Sequence, residues 1–505
     1  MSGYDYIIVG GGSAGCVLAA RLSQDPAARV LLLEAGGTPG GERFADPAAW
    51  PGLVGSPADW GDRTVPQAGA GPLPYPRGRV LGGSGSINAM AHMRGHRSVY
   101  DGWAAAGAPG WDYESLLPYF NRTERRRAGA DSGPRGQAGP VEVGPVPPQD
   151  RHPVALALAD ALAAAGYPLT DDLSGSWMGV AWADLAITAS GHRSSPFTAY
   201  LQPAMSRHPG LEVRTGCMVI SLIIRHGRCT GVSYLHHGAA GEARADGEVI
   251  VCAGAIGSPR LLLLSGIGPA GELAELGITP VADLPGTGQN LHDHPTVKAT
   301  YQTSAELPAS RHNHGEVYAT IPGPLAEHAP DLQVFPVLAP VTIPGRHAPP
   351  SAFALVAAAM TPDSRGTVRL ASADPLAPPL ADPGLLRDGR DVERLEDALS
   401  IARRAALHSA FTRLGCTETA PGPATWDVAS VRAYIRATVS SYHHPAGTCR
   451  MGTGSDAVTD PQLRVHGITG LRVADASVMP LLPNAHPHAT VLAIAEKAAD
   501  LITQS

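Results

Sequence analysis

Reactive groups stand at deliberate spacings near both ends of this chain. Gly10, Gly12 and Gly15 form a GxGxxG pattern within Gly10-Gly11-Gly12-Ser13-Ala14-Gly15, directly after the apolar run Tyr4–Val9. Bare backbone here permits a tight turn, lets a pyrophosphate approach the amides around Ser13 and Ala14, and lets the following helix pack closely. At the far end, histidines come in pairs: His443-His444 before Pro445, and His486 and His488 on either side of Pro487. Imidazole titrates near neutrality and is suited to taking up a proton and returning it. The chain carries 20 histidines, so residue type alone selects none of them. In an extended segment the side chains of His443 and His444 point to opposite faces, and only one can look at a given ligand. His486 and His488, two apart, share a side if extended.

The surrounding elements decide what these groups can do. Tyr4–Val9 reads as a buried parallel strand, and Cys16–Leu22 as a helix whose N-terminal amides favour phosphate charge. Val30–Leu33 reads as a second strand ending in Glu34 and Ala35, about 20 residues past the glycines, where a carboxylate meets adenosine ribose hydroxyls. This order predicts a Rossmann-type dinucleotide unit, which alone does not separate FAD from NAD. Val317–Ile321, Gln333–Leu338 and Phe353–Met360 read as strands of a separate antiparallel sheet. Val392–His408 reads as an amphipathic helix, and Val491–Ile502 as a closing helix just after the second histidine pair.

Composition excludes other classes. The chain has 505 residues and a formal net charge of −7, which predicts two to four folding units and argues against a nucleic-acid partner. Its one tight basic cluster, Arg125–Arg127, is expected to face solvent. Mean hydropathy is −0.02, and no apolar stretch is long enough for a membrane span. The start lacks a basic n-region, and its apolar run dissolves into glycines, as a strand does and a signal peptide does not. Cys16, Cys217, Cys229, Cys252, Cys416 and Cys449 show neither CxxC pairing nor metal-ligand spacing; they read as reduced, packed thiols of a cytoplasmic protein with no metal site. With 59 glycines and 47 prolines, the chain is rich in turns that can wrap a ligand.

Further motifs carry a resemblance. Arg77-Gly78-Arg79-Val80-Leu81-Gly82-Gly83-Ser84-Gly85-Ser86-Ile87-Asn88-Ala89-Met90 resembles the first signature of the glucose–methanol–choline (GMC) oxidoreductases, and Gly254-Ala255-Ile256-Gly257-Ser258-Pro259-Arg260 the second. Arg94-Gly95-His96, Gly288-Gln289-Asn290-Leu291, Asp293-His294-Pro295, His444-Pro445-Ala446-Gly447-Thr448 and Gly470-Leu471-Arg472-Val473-Ala474-Asp475-Ala476-Ser477 are similar to family motifs as well.

The resemblance implies an α/β fold, α+β overall: a Rossmann-type FAD-binding domain with a separate antiparallel-sheet substrate domain. The expected division is 1–150, 205–295 and 440–505 for FAD, 151–204 and 296–440 for substrate, with 38–76 as a lid over the active site. Gly83 and Ser84 offer a nest-like anion site, and Asn88, Ala89 and Met90 continue it along the cofactor. Val219 falls where the family meets the adenine, and Asp475 and Ala476 where it holds the ribityl–pyrophosphate arm. Ile87 occupies the place of the histidine that binds FAD covalently in some members, so FAD is expected to be non-covalent. The implied reaction oxidises a primary alcohol, aromatic or furanic, to the aldehyde, with hydride passing to flavin N5 and electrons to O2, a quinone or another acceptor. His444 is the expected base and His488 its partner, with His443 and His486 as pocket-lining alternatives. Few aromatics in 296–440 imply a mostly aliphatic pocket that disfavours choline, although Glu316, Tyr318, Phe335 and Phe353 keep it open. A hydroxynitrile lyase is the other alternative on this fold.

Overall fold

The computed structural model describes residues 3–67, 69–127, 135–340 and 351–504. Its first sheet grows from the opening apolar run. Ile7, Ile8 and all of Val30–Leu33 are buried, as strands covered on both faces must be. Tyr4–Val9 pairs in parallel with Val30–Leu33, Tyr6 opposite Val30, and with the far half of Ala239–Val251, Ile8 opposite Ile250. Leu211–Arg214 and Leu471–Val473 extend this parallel layer on its two sides. The near half of Ala239–Val251 leaves the layer and joins an antiparallel meander with Arg228–His236 and Cys217–Arg225.

The helix after the glycine turn spans Ser13–Leu22, three residues earlier than expected, because extended Gly12 already supplies its N-cap. It packs beside the closing helix His488–Thr503, to which it is tied by a two-pronged ion pair from Arg21 to the buried Glu496. A separate buried ion-pair network joins Glu124 to Arg94 and Arg135, and Arg135 to Asp184. Arg126 belongs to this network through Asp184 at 2.8 Å, whereas Arg125 and Arg127 are exposed as expected of the basic cluster and pair with Glu142.

The second sheet is antiparallel, in the order Cys416–Ala420, Pro295–Thr303, Ala352–Ala359, Leu332–Val337, Val317–Ile321, Gly179–Trp182. Its strands alternate faces. Val297, Ala299, Leu355 and Ala357 join Leu395, Leu399 and Ala402 of the helix Gly389–Ala405 in one apolar core. Thr296, Lys298 and Val356 point the other way, into a cavity between the sheets. That helix is shifted from the expected Val392–His408. Asp388 caps its start by accepting from Arg390 N, and His408 caps the next helix, Ser409–Arg413, instead of closing this one.

The segment 38–76 crosses between the two sheets. Trp50 Nε1 donates to Asn313 O at 2.9 Å, His314 Nε2 meets Ala48 O at 2.9 Å, and Leu385 N donates to Gln67 Oε1. No helix among the described residues is long and apolar enough to cross a membrane, and all six cysteines are free.

A methyl at Gly15 would overlap the carbonyl oxygen of Gly10, whereas one at Gly37 meets nothing within 4 Å. Gly15→Ala should therefore destabilise the protein by about 2 kcal/mol or more, the usual cost of forcing atoms into a packed site, while Gly37→Ala leaves the thermal midpoint near wild type. Equal midpoints for the two variants would contradict the close packing of turn and helix.

Candidate active site

One cavity of about 430 Å³ runs from the glycine turn to the second sheet. Of the residues singled out from the sequence, Gly10, Gly12, Ser13, Ala14, Glu34, Ala35, Gly83, Ser84, Asn88, Ala89, Met90, Val219, Asp475 and Ala476 all line it, as do His443, His444, His486 and His488. Gly15 does not; it sits behind the turn, inside the helix.

The nucleotide end is built from loops pressed together. Gly83 lies so close to the first turn that a Cβ there would stand 2.7 Å from Gly12 Cα. At Gly12 and Gly83 bare backbone faces the cavity from both loops, which fits a pyrophosphate. Glu34 accepts from Gly11 N at 2.8 Å and Gly36 N at 2.7 Å. Burial still pushes its carboxyl up to about 7, so the site gains from further donors such as ribose hydroxyls. Asp475 is already engaged by the start of the helix Gly254–Leu264. Its Oδ2 accepts from Gly254 N at 2.8 Å and Ser258 Oγ at 2.5 Å, and its Oδ1 from Ser477 N. It fastens the second signature to the strand Leu471–Val473. Arg193 donates to Asn88 O and Oδ1 and holds the Asn88–Met90 wall in place.

At the other end, a column of rings stands against the second sheet. Tyr318 stacks on Phe335 at 5.0 Å, Phe335 on Tyr442 at 5.1 Å, and Tyr442 on His444 at 4.4 Å. The expected mostly aliphatic pocket is thus corrected: few aromatics occur in 296–440, but the fold gathers them, with Tyr442 from the histidine loop, onto one wall. Phe353 lies on the opposite face against Tyr301 and Phe411. Glu316 is fully buried and accepts from His152 N at 2.9 Å, away from the cavity.

His443 adopts a left-handed φ of 64°, not the extended form that predicts opposed side chains, and both imidazoles line the cavity. The loop is pinned by Asp293, whose Oδ1 accepts from His444 N at 2.9 Å and whose Oδ2 accepts from Ser441 Oγ. His444 Nδ1 lies 2.9 Å from His294 Nδ1, and His294 Nε2 lies 3.1 Å from Met360 O. A carbonyl only accepts, so His294 carries its proton on Nε2 and accepts at Nδ1. His444 must then be the Nδ1–H tautomer, with a bare lone pair at Nε2. Burial, with His294 and His486 next in effect, holds the His444 imidazole well below its ordinary pKa.

Of the second pair, the imidazole that packs against His444 is that of His486. Their rings stand 5.1 Å apart and nearly perpendicular. The Tyr442 hydroxyl, donating to Gln333 Oε1 at 2.8 Å, lies 3.0 Å from His486 Nε2, and His486 Nδ1 has no protein partner. His488, expected in this place, faces the other way. The closing helix starts at His488 rather than Val491, since Pro487 already has helical dihedrals, and this rotation carries the ring over Gly85 to Ser13 Oγ at 3.1 Å. Sequence reasoning gave no role to His294, Asp293 or Tyr442. Asp293 and His294 stood in a recognised motif, but their contacts with the histidine loop lie about 150 residues away in the chain.

A parallel sheet that opens on a glycine-lined cavity, with an antiparallel sheet and paired imidazoles at the cavity's other end, fits a flavoprotein-type oxidoreductase. GMC oxidoreductase family models match residues 4–296 and 362–495, and the chain belongs to that family. It is 38% identical to the mitochondrial choline dehydrogenase of Homo sapiens, over 99% of this chain and 89% of the relative. A crystal structure of pyridoxine 4-oxidase from Mesorbium loti superposes with a TM-score of 0.94 at 36% identity, covering 99% of both chains. A formate oxidase of Aspergillus oryzae, studied for its FAD modification, superposes at 0.91 with 25% identity, over 100% of this chain and 99% of the other.

The imidazoles make the ligand-free protein acid-sensitive. His294, His486 and His488 are held down to about 3 by burial, and His444 is held well below its ordinary value. Between pH 7 and pH 5 the unfolded chain takes up protons at these four groups that the folded protein refuses, so stability rises with pH there. Asp293 and Glu34, pushed by burial up to about 6 and about 7, bind protons preferentially in the folded state and offset part of this, while His443, held down to about 4, adds to it. The urea midpoint should fall from pH 7 to pH 5; a midpoint that rises would show that the imidazoles are not buried neutral.

Proposed function

We propose that this chain holds FAD non-covalently and oxidises a primary alcohol on an aromatic or heteroaromatic ring to the aldehyde. The observation that carries this reading is the tautomer chain from Met360 O through His294 to His444, which leaves one imidazole nitrogen bare at the cavity. In this reading residues 1–150, 205–295 and 440–505 serve the cofactor, 151–204 and 296–440 the substrate, and 38–76 covers the cavity between them.

Gly10, Gly12, Ser13, Ala14 and Gly83 would hold the pyrophosphate, Glu34 the ribose, and Asn88, Ala89 and Met90 the ring system. Bound FAD supplies the two-electron acceptor for a hydride. His444 Nε2 takes the hydroxyl proton, so that carbon–hydrogen cleavage does not leave a protonated carbonyl. His486 gives its Nε2 hydrogen to the Tyr442 hydroxyl, so its unpartnered Nδ1 can only accept; there it orients the alcohol hydroxyl beside His444. The Tyr318–Phe335–Tyr442 wall supplies a flat surface for an aromatic ring. His488 acts at the cofactor loop through Ser13, not on the alcohol. Ile87 lines the cavity at the end of the second glycine turn and has no nucleophile with which to bond the cofactor.

The names of the relatives bear on the substrate. Pyridoxine carries a hydroxymethyl group on a heteroaromatic ring, the type of alcohol this wall suits. Choline, the second reading, needs a counter-charge or cage for its ammonium. The carboxylates among the described cavity-lining residues, Glu34 and Asp475, both stand at the nucleotide end.

His444→Ala should slow anaerobic flavin reduction by about 100-fold or more, the scale of lost general-base catalysis, with FAD still bound. His486→Ala should lower the same rate constant, whereas His488→Ala should chiefly weaken FAD retention. Near-normal reduction in His444→Ala would reject the base. Failure of every alcohol to bleach the flavin would favour a lyase, and peroxide on readmitting oxygen would identify O2 as acceptor. Acid precipitation should release the yellow colour into the supernatant; colour in the pellet would contradict non-covalent binding.

A further inference from the structure

The cavity wall carries a cation that the proposed reaction leaves unused. Lys298 stands in one cross-strand row with Val356 and Phe335, and all three line the cavity. Two strand spacings place Lys298 about 10 Å across the sheet from Phe335, whose ring leads through Tyr442 to His444. Its ammonium donates to Ser440 Oγ at 2.7 Å, and that hydroxyl is 2.8 Å from Thr296 Oγ1. No carboxylate among the described residues offsets the burial of this ammonium, which burial alone pulls down to about 8. The Lys298 charge in turn adds to burial in holding the neighbouring His443 imidazole down to about 4. A buried cation without a counter-ion is costly, and on a cavity wall the missing charge can come with the ligand.

We propose that Lys298, with Ser440 and Thr296 beside it, receives a negatively charged oxygen substituent of the alcohol, a carboxylate or a phenolate, and so selects acid-bearing aromatic alcohols over quaternary ammonium alcohols. The proposal rests on reading this cavity as the alcohol-oxidising site. It commits the pocket to a substrate with its reacting hydroxymethyl group at the imidazoles and its charge at the sheet.

The test uses the FAD-loaded enzyme and two readouts. Anaerobic reduction is compared for 3- and 4-(hydroxymethyl)benzoate, 3- and 4-hydroxybenzyl alcohol, the matching methylbenzyl alcohols and choline. The second readout, benzoate binding by calorimetry, needs no turnover. Wild type should favour the benzoates or the phenols over their neutral isosteres, the preferred set showing which anionic oxygen is read, and choline should be poorest. Lys298→Met should reduce the acid-to-neutral ratio of kcat/KM and the benzoate affinity by about 10- to 100-fold, as loss of a charge-assisted hydrogen bond does; Lys298→Arg should retain most of both. If Lys298→Met does not fold, Lys298→Gln, which can still donate to Ser440, takes its place with the same expected losses. An unchanged ratio and unchanged benzoate affinity in a variant that melts like wild type would overturn the proposal. So would a shifted flavin potential with unchanged benzoate binding, which would assign the lysine to the cofactor. If no alcohol reduces the flavin, the proposed reaction fails, and benzoate binding still decides the role of Lys298.

Discussion

The paired imidazoles depend on a short hydrogen-bond chain that begins at a backbone carbonyl. Met360 O cannot donate, so it dictates where His294 keeps its proton, and His294 dictates the same for His444. The carbonyl belongs to the residue after the strand Ala352–Ala359, and His294 immediately precedes the strand Pro295–Thr303. The antiparallel register of those two strands is therefore what sets the tautomer of a residue in a loop far along the chain. Asp293 adds the second constraint, accepting the backbone amide of His444 and the hydroxyl of Ser441. Two consecutive side chains, Asp293 and His294, thus hold the loop's backbone and its imidazole separately.

The nucleotide end obeys a different logic. There the groups that matter are mostly main chain, and side chains are removed rather than supplied. Gly83 brings the second turn against Gly12 of the first, a contact that a Cβ on Gly83 would not permit. Where carboxylates do appear, Glu34 and Asp475, each is engaged by amides of neighbouring turns, so the groove is rigid before any ligand adds donors of its own.

This difference explains what could be read from the sequence. The glycine turn, the strand Val30–Leu33 and its terminal Glu34 are consecutive, and local rules of periodicity and turn chemistry reach across about 30 residues. Three strands of the second sheet, Val317–Ile321, Gln333–Leu338 and Phe353–Met360, were legible from their β-branched and aromatic runs, whereas Pro295–Thr303, with its polar Thr296 and Lys298, was not. The imidazole pairing was not legible in the same way. Choosing between His486 and His488 turns on where a helix begins, and a shift of three residues rotates a side chain by most of a turn. His488 therefore faces Ser13, and the second ring beside His444 belongs to His486. The aromatic wall escaped for a related reason: Tyr318, Phe335 and Tyr442 are scattered in the chain, and only strand register stacks them.

Pro487 separates His486 from His488, and so stands between the imidazoles beside the second sheet and the glycine turn. A ring that touches Ser13 and a ring that faces His444 share one rigid backbone joint. Pocket shape and cofactor grip are consequently not independent characters in this lineage. A substitution that widens the space around His486 drags on the glycine turn, and one that loosens the turn tilts His486. Diversification of substrate range should therefore proceed through the sheet wall and the crossing segment, where side chains can change without moving that joint.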